Sequence, residues 1–317
     1  MLKHYMMILA ATVLFSVQFV FTKYYQKIKG AGLFYSLMFS AMICLASVPF
    51  FIIMNNGKFE FSVFSFIIAL MYALDAILCT VFGVKALSCA DLSVYSLFLM
   101  LGGMLLPFAY GLFRGETLTW LKVVAVTLVF AAMLAATPKK RKERKKNAMA
   151  IVCFVSIFIT NGLTGVLTFV HQRSAAQTVS ASGFLLLCNC LRFFLSSALA
   201  LCVFIYIKRK KKNATYDRSD DGTIAGAGLD GARKKITIKS WLLAFAVSGG
   251  YAIVHSAASL LTTITAGYVD AGVQSTIVTG GCMAMSAVYG LMFGEKITKR
   301  TALSLLLALI GTGCMMM

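Results

Sequence analysis

The chain has 317 residues, of which 60% are hydrophobic and only 13% are charged, and its formal net charge is +19 at pH 7. Soluble domains carry roughly 25% charged residues, so this composition excludes an ordinary soluble protein. The mean hydropathy of +0.85 favours a chain that spends most of its length in a membrane.

Ten apolar runs of about 20 residues follow one another, and each is long enough to cross a hydrocarbon core about 30 Å thick. We therefore expect an all-α membrane protein with ten transmembrane helices. The first run is longer than the apolar core of about 7–15 residues in a cleavable signal peptide, so it is interpreted as a retained span. The runs cover residues 5–25, 31–54, 62–82, 92–113, 118–137, 148–171, 182–207, 241–264, 271–293 and 299–317.

The positive charge is concentrated in alternate loops. The segments after runs one, three, five, seven and nine hold 24 of the 30 Lys and Arg residues. The positive-inside rule places these loops in the cytoplasm, which puts both termini on the other side of a cell membrane. Basic clusters beside apolar spans are expected to meet anionic lipid head groups, and nucleic acid is not expected as a partner.

Two polar segments interrupt the apolar pattern. Residues 138–147 form a dense basic block, which is typical of a solvated cytoplasmic linker, and they divide a first half (1–137) from a second half (148–317). Residues 208–240 are polar and Gly-rich with basic flanks, so we expect a disordered cytoplasmic loop.

The second half contains a copy of part of the first. Tyr110–Thr119 reappears 179 positions later as Tyr289–Thr298, and without a gap from Tyr72 to Thr119 this offset gives 13 identities in 48 positions. Five spans in each half is an odd number, so the second copy must cross the membrane in the opposite sense. The sequence therefore predicts two inverted five-helix repeats, an arrangement that supports alternating access around a midplane site.

The repeated Gly-Glu-x-x-Thr element, once in each half of a ten-span chain, resembles the drug/metabolite transporter superfamily, EamA type. The resemblance implies a membrane carrier of small metabolites, often an exporter, with a central cavity lined by spans one to four and six to nine. Arg192 is similar to the arginine that often opens the second span of a family half. Many members are thought to have cytoplasmic termini, whereas the charges of this chain predict the opposite. The residues that carry the resemblance are Gly115, Glu116, Thr119, Gly294, Glu295 and Thr298.

The same turns have a structural interpretation. The glycines can take the left-handed conformation that ends a helix, the glutamates can meet the positive end of the following helix dipole, and the threonines can cap freed amides. A direct role of the glutamates in gating or coupling is the alternative.

Ionisable groups inside spans are costly and are therefore functional candidates. Asp75, Arg192 and His255 each lie several residues inside a span. Tyr72 shares a helix face with Asp75, and Tyr251 with His255, and the duplication sets these faces opposite one another. An acid and a histidine could carry a proton, and the arginine could hold an anionic group. The alternative is that Asp75 pairs with Arg192 and that His255 is a packing residue.

Other polar groups at helical spacing, among them Gln18, Asn161 and Gln274, predict a hydrated centre, although many Ser and Thr hydroxyls in spans bond back to their own helix. Gly102 with Pro107, and Gly281 in the matching helix, are either hinges or packing seams.

Together these features predict a secondary active transporter of a small polar or amphiphilic metabolite, proton-coupled or exchanging. A channel and a non-transporting receptor or scaffold are the alternatives, and a homodimer is left open. An enzyme is not expected, because the three histidines show no metal spacing and no nucleophile and base constellation is evident. No metal or cofactor is expected.

Overall fold

The structure is a computed structural model that describes residues 2–30, 32–89, 92–136, 144–217, 238–292 and 299–316. Within these ranges all regular secondary structure is helical, and one helix falls on each predicted apolar run. The helices are α1 (Leu2–Lys29), α2 (Leu33–Met54), α3 (Val63–Cys89), α4 (Leu92–Phe113), α5 (Trp120–Ala136), α6 (Arg144–Arg173), α7 (Ala181–Asp217), α8 (Ile238–Thr265), α9 (Ala271–Met292) and α10 (Lys299–Met316).

Six of the helices contain a segment long and apolar enough to cross a membrane: α1, α2, α3, α6, α7 and α8. Shorter apolar segments lie in α4, α5 and α10. The outer surface carries large apolar side chains, and Phe194, Leu201 and Leu306 are among those exposed. Soluble monomers rarely expose apolar patches of this extent, so the surface suits a lipid environment.

Three helix ends extend into segments that were predicted to be linker or loop. Helix α6 begins at Arg144, inside the predicted linker 138–147, and α7 continues to Asp217, ten residues into the predicted disordered loop 208–240. Helix α8 begins at Ile238, before that loop was expected to end. Lys and Arg are good helix formers, so these helices can extend into water. Residues 138–143 and 218–237 lie outside the described ranges.

Helices of the two halves pack against each other in a regular pattern. Each of α2, α4 and α5 packs on its counterpart in the other half, which is α7, α9 and α10 respectively. The remaining large contacts between the halves come in three pairs, and in each pair one contact becomes the other when both helices are replaced by their counterparts. The pairs are α1–α8 and α6–α3, α1–α9 and α6–α4, and α2–α8 and α7–α3.

The helix ends gather into two groups, which we name the Glu116 end and the Lys29 end. At the Glu116 end the start of α1 meets the loop between α8 and α9, where the rings of His4 and Tyr268 stack at 4.6 Å. The end of α6 meets the same loop, because Arg173 donates to the Val269 carbonyl at 2.6 Å. At the Lys29 end the last turn of α1 contacts the first turn of α8, where Lys29 Nζ lies 3.0 Å from Ser240 Oγ.

Gly102 and Gly281 lie at two of the closest helix crossings. A Cβ atom on Gly102 would overlap the Phe158 carbonyl of α6, and one on Gly281 would overlap the Thr12 methyl group of α1. The two crossings correspond to each other, because α9 and α1 are the counterparts of α4 and α6 in the other half. Helix α4 continues through Gly102 and Pro107 to Phe113. The geometry supports the packing-seam interpretation, since glycine there lets two backbones approach.

Candidate functional site

A polar cavity of about 290 Å³ lies between the two halves of the chain. Its walls come from α1, α2, α3 and α4 of the first half and from α6, α7 and α8 of the second. The lining reaches Lys23 and Gln26 near the end of α1, and Ser36 and Tyr95 near the starts of α2 and α4. None of the described residues at the Glu116 end belongs to it, so the cavity approaches the Lys29 end alone.

Gln18 is the centre of a hydrogen-bonded group at the cavity wall. Its Oε1 accepts from the Tyr251 hydroxyl at 3.0 Å and lies 2.9 Å from His255 Nδ1. An amide oxygen only accepts, so this bond assigns the ring proton to Nδ1 and leaves Nε2 to accept from Ser259 at 3.5 Å. The predicted residues Gln18, Tyr251 and His255 therefore do converge, and all three line the cavity.

Arg192 lines the same cavity and is held from one side. Its Nε donates to Ser40 Oγ of α2 at 3.0 Å, and Ser40 lies 3.2 Å from Ser196 Oγ, one turn further along α7. A smaller recess of about 10 Å³ continues from Arg192, His255 and Tyr72 into the bundle. The fixed Nε orients the guanidinium plane at the junction of the cavity and the recess.

Asp75 does not line the cavity. Its side chain is 4% exposed, and its Oδ2 accepts from the Thr164 hydroxyl of α6 at 2.7 Å, whereas Thr164 itself faces the cavity. The expectation that Asp75 and His255 face a shared cavity is corrected in this respect: Tyr72 and Ala76 of α3 form the wall, and α6 covers Asp75. Among the described residues no ion pair joins Asp75 to Arg192, so the pairing alternative is not observed either.

Aromatic rings form one wall of the cavity. Tyr25 stacks on Phe39 at 4.2 Å, Phe39 meets Tyr251 edge-on at 5.3 Å, and Tyr251 stacks on His255 at 5.3 Å. Because Tyr25 belongs to the last turns of α1 and His255 lies at the recess, this row follows the cavity from the Lys29 end inwards.

The other predicted polar residues have mixed positions. Tyr72 and Asn161 line the cavity, and the Asn161 amide donates to the Leu99 carbonyl of α4 at 2.7 Å. Gln274 lies away from the cavity and donates to the Thr262 carbonyl at 2.8 Å, while its Oε1 is buried without a partner in the described part of the chain. Several hydroxyls bond to the carbonyl four residues earlier, as the structural alternative expects: Thr22, Thr168, Ser275 and Thr279.

The first Gly-Glu turn ends α4 as predicted. Gly115 has φ +91°, the Glu116 amide donates to the Gly111 carbonyl at 2.9 Å, and the Gly115 amide donates to the Leu112 carbonyl at 3.1 Å. This pair of bonds is a Schellman motif, in which glycine supplies the left-handed residue.

The Glu116 carboxylate reaches a different helix from the one expected. It accepts from the backbone amides of Ala271 at 2.7 Å and Gly272 at 3.3 Å, so it meets the positive end of the α9 dipole and not that of α5. Arg173 Nη1 lies 3.4 Å from the same carboxylate. The Thr119 hydroxyl, expected as a cap for α5, is buried without a hydrogen-bond partner in the described residues. Gly294, Glu295 and Thr298 lie outside the described ranges.

These bonds form what we call the Glu116 latch, defined by Glu116, Arg173 and the loop from Ala266 to Gly272. Arg173 donates to the Ala266 carbonyl at 3.0 Å as well as to Val269, so it joins α6 to the α8–α9 loop, and Glu116 joins both to α4. The side chains of Arg173 and Glu116 are 18% and 8% exposed. The latch therefore ties three elements together where screening by water is reduced.

A second set of bonds closes the same end between α2 and α7. Asn55 Oδ1 accepts from the hydroxyls of Ser180 and Ser182, each at 2.7 Å, and Glu60 Oε2 accepts from the Ser180 amide at 2.6 Å. His171 is fully buried beside them, stacked on Phe184 at 3.8 Å. The Glu116 end is thus closed by polar bonds and by ring packing.

Sequence reasoning missed several lining residues. Ser40 and Ser36 are one turn apart on α2, and Gln26 continues the four-residue spacing of Gln18 and Thr22 on α1. That spacing was a usable signal. Lys23 was counted only as a cytoplasmic charge, yet it lines the cavity.

Comparisons with known proteins give information on the fold but not on the function. No protein-family model and no curated protein matches the chain. Solved structures do match: one described as "Crystal structure of protein" has a TM-score of 0.62 and 12% sequence identity, and the match covers 98% of this chain and 96% of that one. At this identity the likeness shows the fold alone, over nearly the whole length of both chains.

Proposed function

We propose that the protein is a ten-span secondary active carrier of a small polar or amphiphilic metabolite, a member of the EamA-type drug/metabolite transporters, working by alternating access between two inverted five-helix repeats. The observation that carries the proposal is the polar cavity between the halves, which approaches one end of the bundle while bonded loops close the other. A carrier is expected to have a cavity of this kind, open to one side at a time.

The packing pattern supports inverted repeats. When each helix is replaced by its counterpart in the other half, every major contact between the halves becomes another major contact or stays the same. The start of α1 and the end of α6 lie at the same end of the bundle, which is the relation expected when the second half runs in the opposite sense. Such symmetry provides two similar packings of opposite access.

The cavity has the character of a ligand site. Pockets for small ligands combine apolar and aromatic walls with a few directed polar groups in volumes of roughly 300–1,000 Å³, and this cavity falls near the lower limit. Arg192 and the Gln18 group supply the directed polar atoms.

Orientation follows from charge in this proposal. The described basic residues near the ends of α1 and α7, Lys27, Lys29, Lys208 and Arg209, belong to the Lys29 end. We therefore take that end as cytoplasmic, with the cavity open inwards and the Glu116 latch facing the outside. Labelling of a cysteine introduced in the Lys139–Lys146 loop by an impermeant reagent applied to intact cells would contradict this orientation.

Counterflow in proteoliposomes tests the function. Vesicles loaded with one metabolite from a panel of amino acids, organic acids, nucleosides and sugars are diluted into its labelled form. We expect at least one metabolite to give saturable uptake that is stimulated by the same compound on the other side. Flux that does not saturate would indicate a channel, and no flux for any compound would favour a receptor or scaffold.

A further inference from the structure

The cavity has a cation at its inner end and no matching acid in its wall. Arg192 faces both the cavity and its recess, whereas no carboxylate is present among the described lining residues. Asp75 of α3 is withdrawn behind Thr164. Glu60, Glu116 and Asp270 lie at the opposite end of the bundle.

Arg192 is only partly satisfied by the protein. The single hydrogen bond that the structure shows for it joins Nε to Ser40, and no acidic group among the described residues lies within salt-bridge distance. A guanidinium inside a membrane span is costly unless a counter-charge or hydrogen-bond acceptors meet it. Its planar fork matches the two oxygens of a carboxylate or phosphate group.

The aromatic row indicates what the rest of the ligand is like. Tyr25, Phe39, Tyr251 and His255 follow one another along one wall, in two stacked pairs that meet edge-on, and the row ends beside Arg192. An aromatic wall favours a flat, apolar body over a heavily hydroxylated one. Tyr251 and His255 are themselves held by Gln18, so this surface is fixed before a ligand arrives.

We propose that the cavity selects a small organic anion with a flat, apolar body, whose carboxylate or phosphate group binds Arg192 and whose body lies along the Tyr25–His255 row. The inference rests on the proposed function, because it names the substrate class of that carrier. Arg192 is the specificity-determining residue, and Ser40 positions it.

The charge preference can be measured at a native thiol without knowing the substrate. Cys79 lines the cavity, so it should react with small methanethiosulfonates that enter from the Lys29 end. Rates are compared for the anionic sulfonatoethyl and the cationic trimethylammonioethyl reagent, each divided by its rate with free mercaptoethanol. We expect the anionic reagent to be favoured by roughly tenfold, the effect of one unit charge at moderate distance in a partly shielded site.

Variants assign the preference to its cause. Cys79→Ser should remove the part of the labelling that favours the anionic reagent and leave any labelling of the other free cysteines, such as the exposed Cys202. Arg192→Gln should reduce the preference to about one, and Arg192→Lys, which keeps the charge, should retain it. If Arg192→Gln does not fold, the reagent preference of the wild-type protein and its retention in Arg192→Lys still test whether the cavity favours anions. A ratio at or below one in the wild-type protein, or an unreactive Cys79, would overturn the inference.

A thermal-shift series tests the ligand class directly. Purified protein is heated with benzoate, phenyl phosphate and indole-3-acetate, and with the uncharged benzamide and indole-3-acetamide. At least one anion should raise the melting temperature more than its neutral partner does, and Arg192→Lys should weaken this effect because it loses the bidentate fork. Equal shifts from acid and amide, or no shift from any anion, would count against the proposal.

Failure of this inference can be told apart from failure of the carrier. Counterflow of a neutral or cationic metabolite, unchanged in Arg192→Lys, would refute the substrate class and keep the carrier. Anion-selective labelling and stabilisation without flux of any bound anion would keep the ligand class and refute transport.

Discussion

Replacement of Glu116 by Gln should loosen the closed end of the bundle. The carboxylate accepts from the Ala271 and Gly272 amides and pairs with Arg173, at a position that is 8% exposed. Hydrogen bonds to charged groups contribute about 1.5–3 kcal/mol each, and Gln keeps one neutral acceptor of about 1 kcal/mol. With the lower value for the two amide bonds, about 3 kcal/mol together, the net loss is about 2 kcal/mol, which shifts the equilibrium between closed and open forms by roughly thirtyfold.

The shift can be read at Ser259. This residue is 9% exposed and lines the recess next to Arg192 and His255, between the cavity and the Glu116 end. In a Ser259→Cys background, an impermeant thiol reagent is added from the Glu116 side of oriented vesicles. When opening is rare and fast, the labelling rate follows the open population, so Glu116→Gln should accelerate it by roughly thirtyfold.

Arg114→Gln is the matched control. It removes one charge from the same turn, but the Arg114 side chain is exposed and has no bond in the described residues. Its labelling rate should stay within about twofold of the parent. An acceleration of equal size in both variants, or none in Glu116→Gln, would refute the assignment of the Glu116 latch.

Three further predictions concern single residues. Gly102→Ala should lower the melting temperature in detergent, with a cost of about 1–3 kcal/mol from overlap with the Phe158 carbonyl, while Gly249→Ala, which has no neighbour within 4 Å of its Cβ position, should not. Gly115→Ala should cost about 1–2 kcal/mol, because φ is +91° there; a melting temperature equal to wild type would disprove the strain. Asp75→Asn keeps an acceptor for Thr164, and because Asp75 lies behind Thr164 and outside the cavity lining, counterflow should persist. Loss of counterflow in correctly folded Asp75→Asn would contradict the placement of Asp75 outside the transport site.

The helices could be predicted from the sequence because run length and hydropathy determine where a chain can cross a membrane. The conformation of Gly115 was predictable as well, since few residues other than glycine end a helix in the left-handed region. The prediction differed from the structure at the start of α6 and at the end of α7, where basic segments that were predicted as linker or loop are helical.

The site was only partly predictable. The duplication brought attention to Tyr72, Tyr251 and His255, which do line the cavity. The duplication could not show that Asp75 points away from the cavity. Asp75 lies one position from the counterpart of His255, and neighbouring helix positions differ by about 100° in direction. The helix that covers Asp75, α6, also comes from the other half of the chain.

The hydrogen bonds from Glu116 to α9 could not be predicted from the sequence either, since the partner amides lie 155 and 156 positions away. A contact over such a separation depends on how the two halves dock. No local pattern encodes it.

The central claim is that the two ends of the bundle open in turn. It is tested most directly by double electron–electron resonance on two spin-label pairs in lipid nanodiscs, Lys58 with Asp270 at the Glu116 end and Lys27 with Arg209 at the Lys29 end. As Glu116→Gln lengthens the first distance, the second should shorten in the same fraction of molecules. Both distances long together, or a second distance that does not respond, would contradict alternating access.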